Sequence, residues 1–254
     1  MITYLTNIAR LIMPVSVAAL ICLSACSRAG HNAELDASLI KAVEERETGA
    51  LARLLDEGAS PDSKDADNRT ALEVAAIFGN TDAARILVEH GASAKEALMP
   101  AAANGHIEIV ALLVEKKADL DVKDEYGDTP LIRACFNQHG DIAELLVRSG
   151  ADIHSRDDNG RTALWAASAN GLAKVTQLLI DNAADINAKD RKFGWTPLIV
   201  ASINGRANTV KILLDNGADQ TAKSNDGSTA LSKARENGHP DIVKLLEAVN
   251  SPKP

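Results

Sequence analysis

The 254-residue sequence predicts an all-α repeat solenoid, and three observations carry that expectation. The first is a recurring stretch. Thr129-Pro130-Leu131-Ile132-Arg133-Ala134 is followed 33 residues later by Thr162-Ala163-Leu164-Trp165-Ala166-Ala167. Thr196-Pro197-Leu198-Ile199-Val200-Ala201 comes 34 residues after that, and Thr229-Ala230-Leu231-Ser232-Lys233-Ala234 another 33 on. Upstream, Thr70-Ala71-Leu72-Glu73-Val74-Ala75 belongs to the same set. The second observation is apolar residues spaced by three and four between these stretches, as in Ile142, Leu145, Leu146 and Val147. The third is glycine placed at the expected helix stops, as in Gly150-Ala151 and Gly217-Ala218.

Each repeat reads in order as helix, turn, helix and hairpin. The leading Thr is an N-cap whose hydroxyl accepts a backbone N–H of the first turn. Pro130 and Pro197 stand at the first helical position, where a missing N–H costs nothing. A turn follows at Gly79-Asn80, Gly105-His106, Gln138-His139, Gly171-Leu172, Gly205-Arg206 and Gly238-His239. The second helix then runs to a stop such as Gly58-Ala59 or Gly91-Ala92. Asp124-Glu125-Tyr126-Gly127 and Asp157-Asp158-Asn159-Gly160 have hairpin chemistry and lead to the next Thr.

A T-P-L-H-x-A core at a period of 33 resembles the ankyrin repeat. About seven such repeats fall near 36–69, 70–95, 96–128, 129–161, 162–195, 196–228 and 229–250. No repeat keeps the motif's His; the position holds Glu73, Met99, Ile132, Trp165, Ile199 and Ser232. One repeat cannot bury its apolar face, but a stack of three or more can, so 36–250 is expected as one domain. Lys41, Glu44 and Glu45 at one end, and Lys233, Arg235 and Glu236 at the other, suit polar end caps. Two local departures are expected. The step from Thr70 to Glu96 is 26 residues, so 93–96 should join helices directly and leave a gap among the hairpin tips. Pro100 lies in a first helical turn and should distort it.

The amino terminus carries a different signal. Leu11 to Leu23 is almost wholly apolar, too short to span a bilayer but suited to a secretory h-region. It ends in Leu23-Ser24-Ala25-Cys26, which resembles the lipobox of bacterial lipoproteins. The resemblance implies a signal peptide over 1–25, a lipidated Cys26, a polar tether over 26–35 and a tail over 251–254 after the repeats. Ser27, where an Asp would imply inner-membrane retention, implies periplasmic exposure at the outer membrane. The alternative is an ordinary signal peptide with an incidental Cys. Beyond Cys22 and Cys26, Cys135 stands alone, so no disulfide framework forms within one mature chain, and its motif position suits a buried small residue.

The formal net charge is −8, with no Lys/Arg-rich stripe, which disfavours nucleic acid and suits a basic protein partner. His106, His139 and His239 recur with the repeat and read as structural. There is no zinc spacing, P-loop, dinucleotide fingerprint or nucleophile elbow in the sequence, so neither an enzyme, a metal nor a cofactor is expected. A monomer is expected.

Resemblance to ankyrin repeats implies that partners meet the hairpin tips and the exposed ends of the short helices. The candidate protein-binding residues are Tyr126, Asp128, Phe136, Asn137, Asp158, Arg161, Asn170, Phe193, Trp195 and Asn204. Aromatics are only 3% of the chain, yet several fall at these positions, and aromatic and Arg side chains are common interface anchors. The extra residue of the 34-residue step lies within Arg191-Lys192-Phe193-Gly194-Trp195, so that tip should project differently. Replacing Tyr126, Phe136 and Trp195 together is expected to weaken binding with little loss of stability. Two roles follow from the resemblance: a membrane-anchored scaffold for an envelope or stress-defence protein, or an immunity protein that neutralises a secreted antibacterial toxin such as a lipase.

Overall fold

The computed structural model describes residues 33–249. The signal segment, Cys26 and the 251–254 tail lie outside the described residues. Among the described residues no strand forms; one isolated antiparallel bridge joins Lys64 to Thr70. The fold is an all-helical repeat solenoid, and the chain divides into two compact units: 1–75 with 82–93, and 76–81 with 94–254.

In the first unit α1 runs over 33–44, α2 over Thr48–Asp56 and α4 over Thr81–Glu89, with α3 (Ala71–Phe78) starting within it. α1 buries Leu35, Leu39, Ile40 and Val43, the spacing of one helical face. The helix already includes 33–35, and Leu35 joins the core. Lys41, Glu44 and Glu45 are exposed, as an end cap requires. Asp65 N–H donates to Arg69 O at 2.9 Å and closes the hairpin before α3. Thr70 then caps α3 reciprocally. Glu73 N–H donates to Thr70 Oγ1 at 3.2 Å, and Thr70 N–H donates to Glu73 Oε2 at 2.7 Å. Glu73, at the motif's His position, thus completes a capping box.

The second unit is two layers of helices. The short helices α5 (Leu98–Asn104), α7 (Pro130–Phe136), α9 (Ala163–Asn170), α11 (Pro197–Ile203) and α13 (Ala230–Glu236) pack in succession. The second helices α6 (Ile107–Glu115), α8 (Gly140–Arg148), α10 (Ala173–Asp181), α12 (Ala207–Asp215) and α14 (Pro240–Val249) form the other layer. Leu131, Leu164 and Leu198 with Ala134, Ala167 and Ala201 are buried between them, and the small Ala lets short helices approach closely. Thr129, Thr162, Thr196 and Thr229 each accept the N–H three residues on, at 3.2–3.3 Å. Each cap is worth about 1 kcal/mol.

The inter-helix turns use the left-handed region. Gly105 has φ 82°, Gly171 75° and Gly205 71°, and Gln138 takes the same conformation at 65°. Lys117 and Ala183 do so at the second-helix stops, where other repeats have glycine. The recurring His side chains are seated on the preceding turn. His139 Nε2 lies 3.1 Å from Ala103 O and His239 Nε2 lies 2.9 Å from Ile203 O. The ring of His139 leaves no room for a Cβ on Gly105: its nearest atoms would be 2.6 and 2.8 Å away. Where the turn residue is Gln138, the following repeat carries Leu172 at the histidine position.

Pro100 does not break α5. It is the third helical residue, within the first turn, where an N–H has no intrahelical acceptor. Residues 90–97 form turns and no hairpin, as the 26-residue step requires. Cys135 is fully buried, and burial pushes its thiol up to about 12, so it stays a protonated core residue.

Candidate protein-binding site

Three successive hairpin tips of the second unit, at 124–128, 157–161 and 190–195, are each organised by one carboxylate. Asp124 accepts the N–H groups of Tyr126 and Asp128, both at 2.9 Å. Asp157 accepts Arg161 N–H at 2.7 Å. Asp190 accepts Phe193 N–H at 2.7 Å through one oxygen and Trp195 N–H at 2.8 Å through the other. The backbone closures are Asp124 to Asp128, Asp157 to Arg161 and Asp190 to Trp195, at 3.0–3.1 Å. The last closes one residue later, which places the insertion where the sequence put it. Adjacent tips are tied directly: Asp158 N–H donates to Tyr126 O at 3.0 Å, Arg191 N–H to Asn159 O at 2.7 Å and Asn225 N–H to Phe193 O at 2.9 Å.

Side chains differ along this row. At the first tip Arg133 pairs with Asp124 and, at 2.9 Å, with Asp128. Its guanidinium lies 5.6 Å from the centroid of the Tyr126 ring, which is 57% exposed. Burial pushes Asp124 up, but the hydrogen bonds from Arg133, Tyr126 and Asp128 hold it below the usual carboxylate value. Asp128 goes the other way. It is buried, its Oδ1 has no hydrogen-bond partner among the described residues, and burial raises it to about 6 against the pull of Arg133.

At the middle tip Arg161 Nε donates to the buried Asp157 carboxylate at 2.6 Å. The same guanidinium sits 4.4 Å over Phe136 and 5.6 Å over Trp165. Phe136 and Trp165 meet in a tilted pair at 6.2 Å. At the last tip Phe193, 43% exposed, stacks on Trp195 at 4.4 Å, and Lys192 Nζ lies 5.0 Å from the Phe193 centroid. Trp165 Nε1–H donates to Trp195 O at 3.1 Å. A pocket of about 200 Å³ opens here, lined by Asn159, Arg161, Trp165, Asp190, Lys192, Phe193 and Trp195.

A family model for ankyrin repeats in three copies matches residues 16–97, 39–124, 98–190 and 189–251. The chain belongs to the ankyrin-repeat family. Ankyrin repeats generally mediate protein–protein interaction and are typically non-enzymatic. Among the described residues no group of three or more His, Cys, Asp or Glu is gathered to hold a metal ion, and no helix is long and apolar enough to cross a membrane.

Against that ankyrin frame the candidate residues separate into classes. Tyr126, Asp158 and Phe193 are exposed at tips, as expected from sequence. Asp128 is not: it is 2% exposed beneath Arg133, because the last hairpin residue turns inward toward the short helix. Phe136 and Trp195 are half-buried, and Trp195 packs against the apolar core of the following repeat. Asn137, Asn170 and Asn204 donate to main-chain carbonyls of the preceding repeat: Ala103 at 2.7 Å, Cys135 at 3.1 Å and Ala169 at 2.9 Å. They tie repeats together rather than presenting free amides. Arg161 is committed through Nε only. Missing from the candidates were Arg133, Asp157 and Asp190, which shape the tips. The Asp that opens each hairpin was a legible signal for two of them.

Proposed function

We propose that this ankyrin protein is a non-enzymatic binding module whose contact surface is the tip row from Tyr126 to Trp195. One observation carries the proposal. Tyr126 and Phe193 expose large aromatic faces on a rigid, hydrogen-bonded row, each beside a cation. An aromatic anchor already fixed in place loses little conformational freedom on binding. We further propose that lipidated Cys26 anchors the module to a bacterial membrane, the outer membrane by the residue at Ser27, with the repeats in the periplasm. The Leu23-Ser24-Ala25-Cys26 sequence after an apolar run supports this anchor. On this reading the module is a scaffold for an envelope or stress-defence protein.

Crosslinking the tagged whole chain in the envelope fraction, followed by mass spectrometry, tests the proposal. Recovery of one resident envelope or defence protein supports the scaffold. Recovery of one stoichiometric secreted hydrolase would replace it by the immunity reading. Recovery of no protein above a tag-only control would contradict both.

A further inference from the structure

The pocket between the middle and last tips has a chemistry that the acidic whole does not suggest. Arg161 and Lys192 are among the residues that line it. Arg161 spends Nε on Asp157, and its terminal nitrogens make no hydrogen bond among the described residues. Lys192 makes a ring contact and no ion pair there. The pocket's own carboxylate, Asp190, has given both oxygens to backbone N–H groups and cannot answer these cations well. The apolar walls are Trp165, Phe193 and Trp195. A volume of about 200 Å³ is below that of a drug-sized ligand site and suits a side chain of a partner. The chain's net charge of −8 does not decide what this pocket takes, since charges beyond a Debye length of about 10 Å are screened.

We infer that this pocket receives an apolar side chain flanked by a carboxylate on a short segment of a partner protein. The carboxylate meets the free donors of Arg161 and Lys192 while the apolar group packs on Trp165 and Trp195. The inference rests on the protein-binding reading and adds the chemistry of the partner: an acidic, apolar segment, not a basic one.

Both tryptophans of the chain line the pocket, so tryptophan emission reports its occupancy. The whole chain is titrated with three blocked peptides: Glu-Leu-Glu-Phe, Lys-Leu-Lys-Phe and Glu-Ser-Glu-Ser. The first is expected to shift the emission and to bind about tenfold more tightly than the others, since it alone offers both chemistries. Lys192→Glu, an exposed substitution that leaves the fold intact, is expected to weaken it by about tenfold, as is raised salt. The inference is overturned if Lys-Leu-Lys-Phe binds as well or better, if Glu-Ser-Glu-Ser binds equally, or if Lys192→Glu changes nothing. Should no peptide shift the emission while the whole chain still captures an envelope protein, this inference falls and the protein-binding reading stands. Failure of that capture removes the protein-binding reading itself.

Discussion

The tips at 124–128 and 190–195 are built on the same frame, with a carboxylate that gathers backbone N–H groups and a backbone bond that closes the loop. They use their charged and aromatic side chains in opposite ways. At the first, Arg133 is consumed by Asp124 and Asp128, and the aromatic ring of Tyr126 stands clear. At the second, Asp190 is consumed by the backbone of a loop one residue longer, Lys192 is left over, and Trp195 turns into the core. An ankyrin tip therefore makes its surface from whatever its internal pairing does not use. One inserted residue is enough to change which groups those are.

Substitutions can break the comparison, and the aromatic pair should do so most sharply. Trp195→Ala is expected to cost about 3 kcal/mol of stability, because it empties a place in the apolar cluster, whereas Tyr126→Ala should stay within about 0.5 kcal/mol. Urea unfolding of the two variants measures the difference. Equal costs would show that Trp195 is not a core residue. This also changes the choice of binding variant: Tyr126→Ala with Phe193→Ala removes exposed rings, while Phe136 and Trp195 would confound binding with stability.

The charge network of the first tip gives the next effect. Asp128 holds its proton more firmly in the folded chain than a free carboxylate would, so the folded state binds more protons between about pH 4 and 6. Stability should therefore rise as pH falls from 7 toward 4, by on the order of 2 kcal/mol from this group, with about half of that gained by pH 5. Below about pH 4 the depressed carboxylates Asp65, Asp124 and Asp152 lose their partners and stability should fall. Thermal melts across that range, for the wild type and for Asp128→Asn, check it. The variant should lose the rise between pH 7 and 5; an unchanged rise would assign it to another group.

Gly105→Ala should cost about 2 kcal/mol, from left-handed strain and from the His139 ring pressed against the new methyl. Pairing it with His139→Leu, which copies the neighbouring Gln138 and Leu172 arrangement, should recover part of the loss in the same unfolding assay. Thr162→Ala should be smaller, about 1 kcal/mol, for one lost cap at α9.

Much of the fold was legible because the repeat multiplies weak signals. Thr caps, Pro130 and Pro197 at helix starts, and glycine stops each recur with the period. Lys117 and Ala183 were not legible as left-handed stops, since nothing in either residue type favours that conformation; only the register of their neighbours does. Pro100 is the third residue of α5, in the first turn, where an N–H would have no intrahelical acceptor, so the helix continues through it. At the candidate site, exposed rings were easier to find than pairing. Asp128 is polar and was read as exposed, but its burial depends on Arg133, five residues on and in the next helix. Asn137, Asn170 and Asn204 recur at the repeat spacing, which was already a sign of work inside the frame.

Site-specific photocrosslinking tests the central claim most directly, that the tip row is where this ankyrin stack meets its partner. A benzophenone side chain is placed at Phe193 on the last tip and, separately, at Lys211 on the exposed face of α12. The expected result is one strong protein adduct from position 193 in the envelope fraction and none from position 211. Adducts from 211 alone would place the contact on the second helices and contradict the account.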